Sequence, residues 1–182
     1  MTTGRGVDAI QPDTKDWTWV LERPCPDCGF DSSTVSYADV ADIVRRDAAD
    51  WSRRLTAPEA TVRPRPSTWS VLEYGCHVRD VHRIFEQRVT LMLAEDDPVF
   101  PNWDQDATAV TDDYASQDPA EVARDLVVAA YRVADVYSAV RDGLWSRRGL
   151  RSNGSEFTVA TIAVYHVHDV VHHAWDVRPR VH

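Results

Sequence analysis

The sequence predicts an all-α chain: a four-helix bundle with an irregular N-terminal arm and a long crossover loop. Three observations carry this. Apolar residues recur at steps of three and four through four separate segments. Each segment is bounded by capping or breaking residues. A length of 182 residues, 43% apolar and with seven tryptophans, suffices for one domain with a sizeable core.

Residues 1–35 are rich in Pro and Asp and lack helical periodicity, so they read as an arm packed on a domain spanning 36–178. The first helix is expected from about Ala38 to Leu55, with Val40, Ile43, Val44, Ala48, Trp51 and Leu55 on one face. Pro64 and Pro66 break the chain after it. Ser70-x-x-Glu73 is a capping-box pattern, and the second helix runs from it to about Leu93 with Tyr74, His77, Val81 and Phe85 on its stripe. Residues 96–117 form the long crossover, rich in acidic and aromatic side chains; loops of this length are usually functional or disordered. Asp118-Pro119 starts the third helix, which continues to about Arg141 before Gly143. Asn153-Gly154 signals a small hairpin. Thr158 caps a fourth helix reaching about Trp175. Four amphipathic helices with one long crossover pack most naturally as a bundle.

The formal net charge of −9 argues against nucleic acid, because phosphate binding requires clustered Lys and Arg. The N-terminus lacks the apolar core of a signal peptide, and no apolar run is long enough to span a bilayer. The expected location is therefore the cytoplasm, with no membrane partner. Three cysteines cannot build a disulfide framework, which fits a reducing compartment. Pairing into a homodimer stays open, since no apolar stripe in the sequence demands it.

His168 and His172 stand four residues apart, a spacing that projects both imidazoles from one helix face toward a common divalent cation. A lone core histidine is ordinarily satisfied by a carbonyl or carboxylate. A pair one turn apart, with His77 on the core stripe of another helix, points instead to an open three-histidine metal site. Asp80 and Asp169 are candidates to orient a ligand imidazole from behind. Trp103, Asp104 and Asp106 are candidates to cover the mouth of the site. His82 reads as a rim or surface residue, and His173, four residues from Asp169, as half of a pair outside the metal set. A competing reading takes His168-Asp169-x-x-His172 as a variant of the zinc-peptidase pattern, with Asp169 as general base of a metal-dependent hydrolase.

Cys25-Pro-Asp-Cys28-Gly29 looks like half of a zinc ribbon without its second half. It is compatible with a reduced solvent-facing turn, a local redox pair, or a zinc site completed by another residue or chain. The first is favoured, because two cysteines seldom suffice for a structural zinc. Cys76, beside His77, is expected to fill core space.

Trp69-Ser70-x-x-Glu73-x-x-x-His77-Val-x-Asp80 together with Tyr165-x-x-His168-x-x-x-His172-His173 resembles the DinB superfamily, also written DinB/YfiT-like. The resemblance spans about residues 37 to 178. It implies a four-helix bundle holding one divalent metal, often zinc, nickel or manganese, through His77, His168 and His172. It further implies, for some members, thiol-dependent S-transfer or isomerisation of small electrophiles with mycothiol or bacillithiol as the low-molecular-weight thiol. Many members have no known activity, so a metal-stabilised binding or stress-response module remains an alternative. Members resembling the mycothiol-dependent maleylpyruvate isomerase carry Glu in place of the first residue of the fourth-helix pair, where this chain has His168. The Cys25 arm and the segment from Phe100 to Asp106 lie outside the general pattern and suggest a distinct, actinobacterial subgroup.

Overall fold

The computed structural model describes residues 10, 12–13 and 15–178; residues 1–9 of the expected arm lie outside the described residues. Helix α1 spans Val40–Leu55 and α2 Val71–Ala94. A short α3, Gln105–Thr111, lies in the crossover. Helix α4 spans Pro119–Ser138 and α5 Val159–Asp176. Three short strands accompany them: β1 (Val99–Phe100), β2 (Arg148–Arg151) and β3 (Glu156–Thr158).

Helix α1 buries Val40, Val44, Ala48, Trp51 and Leu55, the stripe the periodicity marks. It begins slightly later than expected, because Ser36 caps a 3₁₀ turn over Tyr37–Asp39 first. The capping box of α2 is complete: the Glu73 backbone N–H donates to Ser70 Oγ, and the Ser70 N–H donates to Glu73 Oε2 at 2.8 Å. Arg63 braces the same carboxylate. Asp118 accepts the N–H groups of Ala120 and Glu121 at the head of α4, with Pro119 at its first position. That helix stops at Ser138, three residues short of the expectation; Ser138 Oγ donates back to the Ala134 carbonyl, and Gly143 turns the chain at φ +88°. Thr158 and Thr161 form the box that starts α5.

Helices α4 and α5 each pack against both α1 and α2, closing a four-helix ring whose centre is filled by residues such as Trp51, Val81, Leu126, Val133 and Ile162. The crossover is structured. Strand β1 pairs in parallel with β2, and β2 runs antiparallel to β3, so the Asn-Gly segment does form a hairpin. Its turn is closed by Gly154 N–H to the Arg151 carbonyl at 2.8 Å, with Gly154 at φ +97°. Trp17, Trp19, Leu21 and Cys28 of the arm pack against the core. No helix among the described residues is long and apolar enough to cross a membrane.

Buried polar side chains also brace the bundle. Asp80 receives Arg79 through both oxygens, Arg83, and the Tyr114 hydroxyl at 2.7 Å, so it braces the helix packing and no imidazole. Helix α2 also turns His82 fully inward, against its expected rim position. There His82 Nδ1 meets His166 Nε2 at 3.0 Å, and His166 Nδ1 meets the Tyr137 hydroxyl at 3.0 Å. Cys76 fills core space as expected, with its sulfur 3.4 Å from Gln117 Oε1.

Candidate metal centres

The segment His168-Asp-Val-Val-His-His173 contains two pairs at a spacing of four: His168 with His172, and Asp169 with His173. Neighbouring positions on an α-helix point about 100° apart, so α5 presents the two pairs in different directions. One pair meets the N-terminal arm and the other meets α2. The three histidines expected to share an ion are therefore divided between two groups.

The first group is His77, Asp169 and His173, whose ligand atoms lie within 4.8 Å of one another. His77 Nε2 is 3.5 Å from Asp169 Oδ1, and His173 Nε2 is 3.4 Å from the same oxygen. These separations are long for hydrogen bonds. Metal bonds of about 2.05 Å to nitrogen and about 2.1 Å to oxygen, at tetrahedral angles, would set such donors about 3.4 Å apart. Octahedral ligands at about 2.1 Å would crowd them to about 3.0 Å. The two separations from Asp169 fit the edges of a tetrahedron.

Hydrogen bonding supports the same reading. His77 is wholly buried, yet both its ring nitrogens lack a hydrogen-bond partner, and so does Asp169 Oδ1. Buried polar atoms are rarely left unsatisfied, because each costs about 1–3 kcal/mol. His173 Nδ1 lies 2.9 Å from Asp176 Oδ2. A proton held there leaves the Nε2 lone pair facing Asp169, the carboxylate–histidine arrangement that orients metal ligands. Trp103 stacks on the His77 ring at 5.3 Å and 7°, and Trp69 lies 5.7 Å away.

Ligation requires neutral imidazoles and an ionised carboxylate, and His77 and Asp169 already meet this, whereas a metal must displace a proton from His173. Burial lowers His77, aided by the positive charge of His173, so His77 is neutral at pH 7. Burial by itself would raise the Asp169 carboxyl, but the facing His77 ring and the charge of His173 hold it well below the usual carboxylate range. Burial also opposes the charged form of His173, yet Asp176 and Asp169 outweigh it and raise this imidazole.

The second group is Cys25, Cys28, His168 and His172, again with ligand atoms within 4.8 Å of one another. The His168 and His172 rings are 5.1 Å apart, and Cys25 Sγ is 3.7 Å from His172 Nδ1. Cys25 is buried, which corrects the expectation of a solvent-facing turn. Burial lowers His168 to about 4 and lowers His172 as well. The Cys28 thiol is pushed up to about 11, chiefly by burial.

A cavity of about 470 Å³ opens beside both groups and reaches His168, Asp169, His172 and His173. Its lining also carries Asp13, Asp27, Asp106 and Asp176, with Lys15 as a counter-charge. Of the three crossover residues expected at the mouth, Asp106 lines this cavity and accepts the Asp13 N–H, and Trp103 roofs His77. Asp104 instead caps α3 through the Ala107 N–H. Sequence reasoning missed His173 as a ligand candidate, although its spacing from Asp169 equals that of the histidine pair. The orphaned atoms of His77 and the 3.4 Å edge are visible only in three dimensions.

The family model described as the DinB superfamily matches residues 41–177. A solved structure is similar at TM-score 0.65 and 20% identity, covering 76% of this chain and 81% of its own. That protein is YfiT from Bacillus subtilis, described as a probable metal-dependent hydrolase with an unusual four-helix bundle topology. Their common ground is the fold. No curated protein matches the chain.

Proposed function

Since this chain belongs to the DinB superfamily, we propose that it is a metal-dependent enzyme that activates a small thiol at a His77–Asp169–His173 centre for attack on a small electrophile. The observation that carries the reading is the unpartnered, fully buried His77 facing an Asp169 oxygen that His173 also faces at 3.4 Å. A divalent cation held by these residues would supply the Lewis acidity needed to ionise a nucleophile at neutral pH. The cavity reaches two of the three donors, Asp169 and His173, so a small molecule entering it would meet an ion held there.

The carboxylate favours a thiol over water. Asp169 cancels one of the two positive charges, which weakens the pull on a proton. A thiol with a pKa of about 8.5 needs far less help than water at about 15.7. A His–carboxylate–His set also resembles the isomerase-type members whose fourth-helix pair begins with Glu, with Asp169 and His173 now read as that pair. The cavity is within the usual range of about 300–1,000 Å³ for small-molecule sites, and its aspartates favour a neutral or positively charged substrate. Trp103 shields His77 from water, and Asp176 holds the His173 tautomer.

A hydrolase is the second reading, supported by the description of the similar YfiT structure and by the carboxylates on the cavity wall. With Asp169 facing both imidazoles, Asp13, Asp27 or Asp106 is the better candidate for the base. Chlorodinitrobenzene, a neutral electrophile, tests the proposal. Turnover should require both a divalent metal and an added low-molecular-weight thiol, and His77→Ala should abolish it. Hydrolysis of an ester or amide without thiol would establish the second reading instead. Metal binding with neither turnover would reduce the protein to a metal-stabilised module.

A further inference from the structure

The Cys25–Cys28 knuckle plays no part in the chemistry above, yet it faces the other histidine pair of α5. We propose that Cys25, Cys28, His168 and His172 form a closed, tetrahedral zinc site that pins the N-terminal arm to α5 and thereby builds one wall of the cavity. This site stands independently of the proposed function, since the two groups share no residue.

The donor set is complete. Two sulfurs and two imidazoles supply the four ligands of a structural zinc, and none is left over for water or substrate. With Zn–S of about 2.3 Å and Zn–N of about 2.05 Å, a tetrahedral site spaces sulfur and nitrogen about 3.6 Å apart. Cys25 Sγ and His172 Nδ1 are 3.7 Å apart. All three cysteines are free thiols. His168 is 3% exposed, and its Nε2 is buried with no hydrogen-bond partner.

The knuckle is built for the task. The Cys25 N–H donates to the Phe30 carbonyl at 2.8 Å, and the Gly29 N–H donates to the Cys25 carbonyl at 2.9 Å. Gly29 sits at φ +76°, a left-handed turn that brings the Phe30 carbonyl back to the Cys25 N–H and that a β-carbon would strain. Trp17 covers both imidazoles, with ring centroids 5.5 Å from His168 and 4.9 Å from His172, and Phe30 lies edge-on to His168 at 5.3 Å. Such an apolar shell excludes water from the ligands.

Binding balances simply. The two thiols release their protons to solvent, and the two thiolates cancel the charge of one zinc ion, so the buried site is neutral overall. The consequence is architectural. Trp17, Asp27 and Lys15 of the arm line the cavity, and zinc is what fixes them there.

The test uses the full-length protein purified from zinc- or cobalt-supplemented cultures. In the native zinc form, Cys25 and Cys28 should resist a thiol reagent until a strong chelator removes the zinc they hold, whereupon both react. The cobalt form should show thiolate-to-cobalt charge-transfer absorption that falls by about half in Cys28→Ser and persists in His77→Ala. If Cys28→Ser does not fold, the chelator-dependent release of the two wild-type thiols decides alone. Two thiols that react at once without zinc release would overturn the proposal. So would a Cys25–Cys28 disulfide, read as a mass two hydrogens lower. Because these readouts follow sulfur, they can fail while thiol-dependent turnover succeeds, and the reverse.

Discussion

Replacing Asp176 tests how the His77–Asp169–His173 group is tuned. The carboxylate accepts the His173 Nδ1 proton at 2.9 Å in a half-buried position. Removing such a partner typically costs 10–100-fold in metal affinity, or about 1.4–2.7 kcal/mol. Asp176→Asn keeps an oxygen able to accept the same proton and loses only the charge, so about tenfold is expected. Asp176→Ala loses orientation as well and should approach about 100-fold. The pH dependence follows from His173, whose imidazole is raised by Asp176 and Asp169 against the effect of burial. In the wild type, protons compete for this ring until the pH exceeds its raised value. The variant binds both proton and metal less tightly, so the fold-loss should be smaller at pH 6 than at pH 8. The assay is competition for cobalt against a chromophoric chelator, with thiolate absorption reporting the cysteine site separately. Unchanged affinity of the non-thiolate site at pH 8 in Asp176→Ala would refute the reasoning.

Other consequences are equally direct. Burial pushes the Asp47 carboxyl up to about 7, against the pull of Arg54, and its Oδ2 has no hydrogen-bond partner. Its folded value lies above its unfolded one, so the neutral form carries stability that is fully present below about pH 4 and lost as the pH rises toward 7. Asp47→Asn should remove this loss and stabilise the protein at pH 8 relative to pH 4, by at most about 4 kcal/mol, measured by urea unfolding at both pH values. An Asn variant no more stable at pH 8 would show that the carboxyl ionises freely in the fold. Trp103→Ala uncovers His77 and should speed metal release to a chelator several-fold while leaving the helix content unchanged by circular dichroism. Ser70→Ala removes the cap of the helix that carries His77 and should cost about 1 kcal/mol of unfolding free energy, with a correspondingly lower Tm.

The helices were legible because their signals are local. Ser70-x-x-Glu73, Asp118-Pro119 and Thr158 are caps whose bonds close within a few residues, and the structure forms each of them. Bundle topology followed from four amphipathic stripes. The end of α4 was less legible, because Ser138 and the residues after it choose between helix and turn through bonds of similar strength. The ligand grouping was only half readable. Spacing of four marks His168 and His172 as partners, but it says nothing about which neighbour lies across the gap. That choice is made by the rotation of α5, which turns one pair to Cys25 and the adjacent pair to His77. His82 shows the same limit: the helical wheel separates it from His77, while burial by α4 and α5 on a second face of α2 is a tertiary fact.

Diffraction from crystals grown with zinc, collected on both sides of the zinc absorption edge, tests the central claim most directly. The account predicts an anomalous peak bounded by His77 Nε2, Asp169 Oδ1 and His173 Nε2, distinct from a second peak at Cys25, Cys28, His168 and His172. A single ion shared by His77, His168 and His172, or no ion touching Asp169, would contradict it.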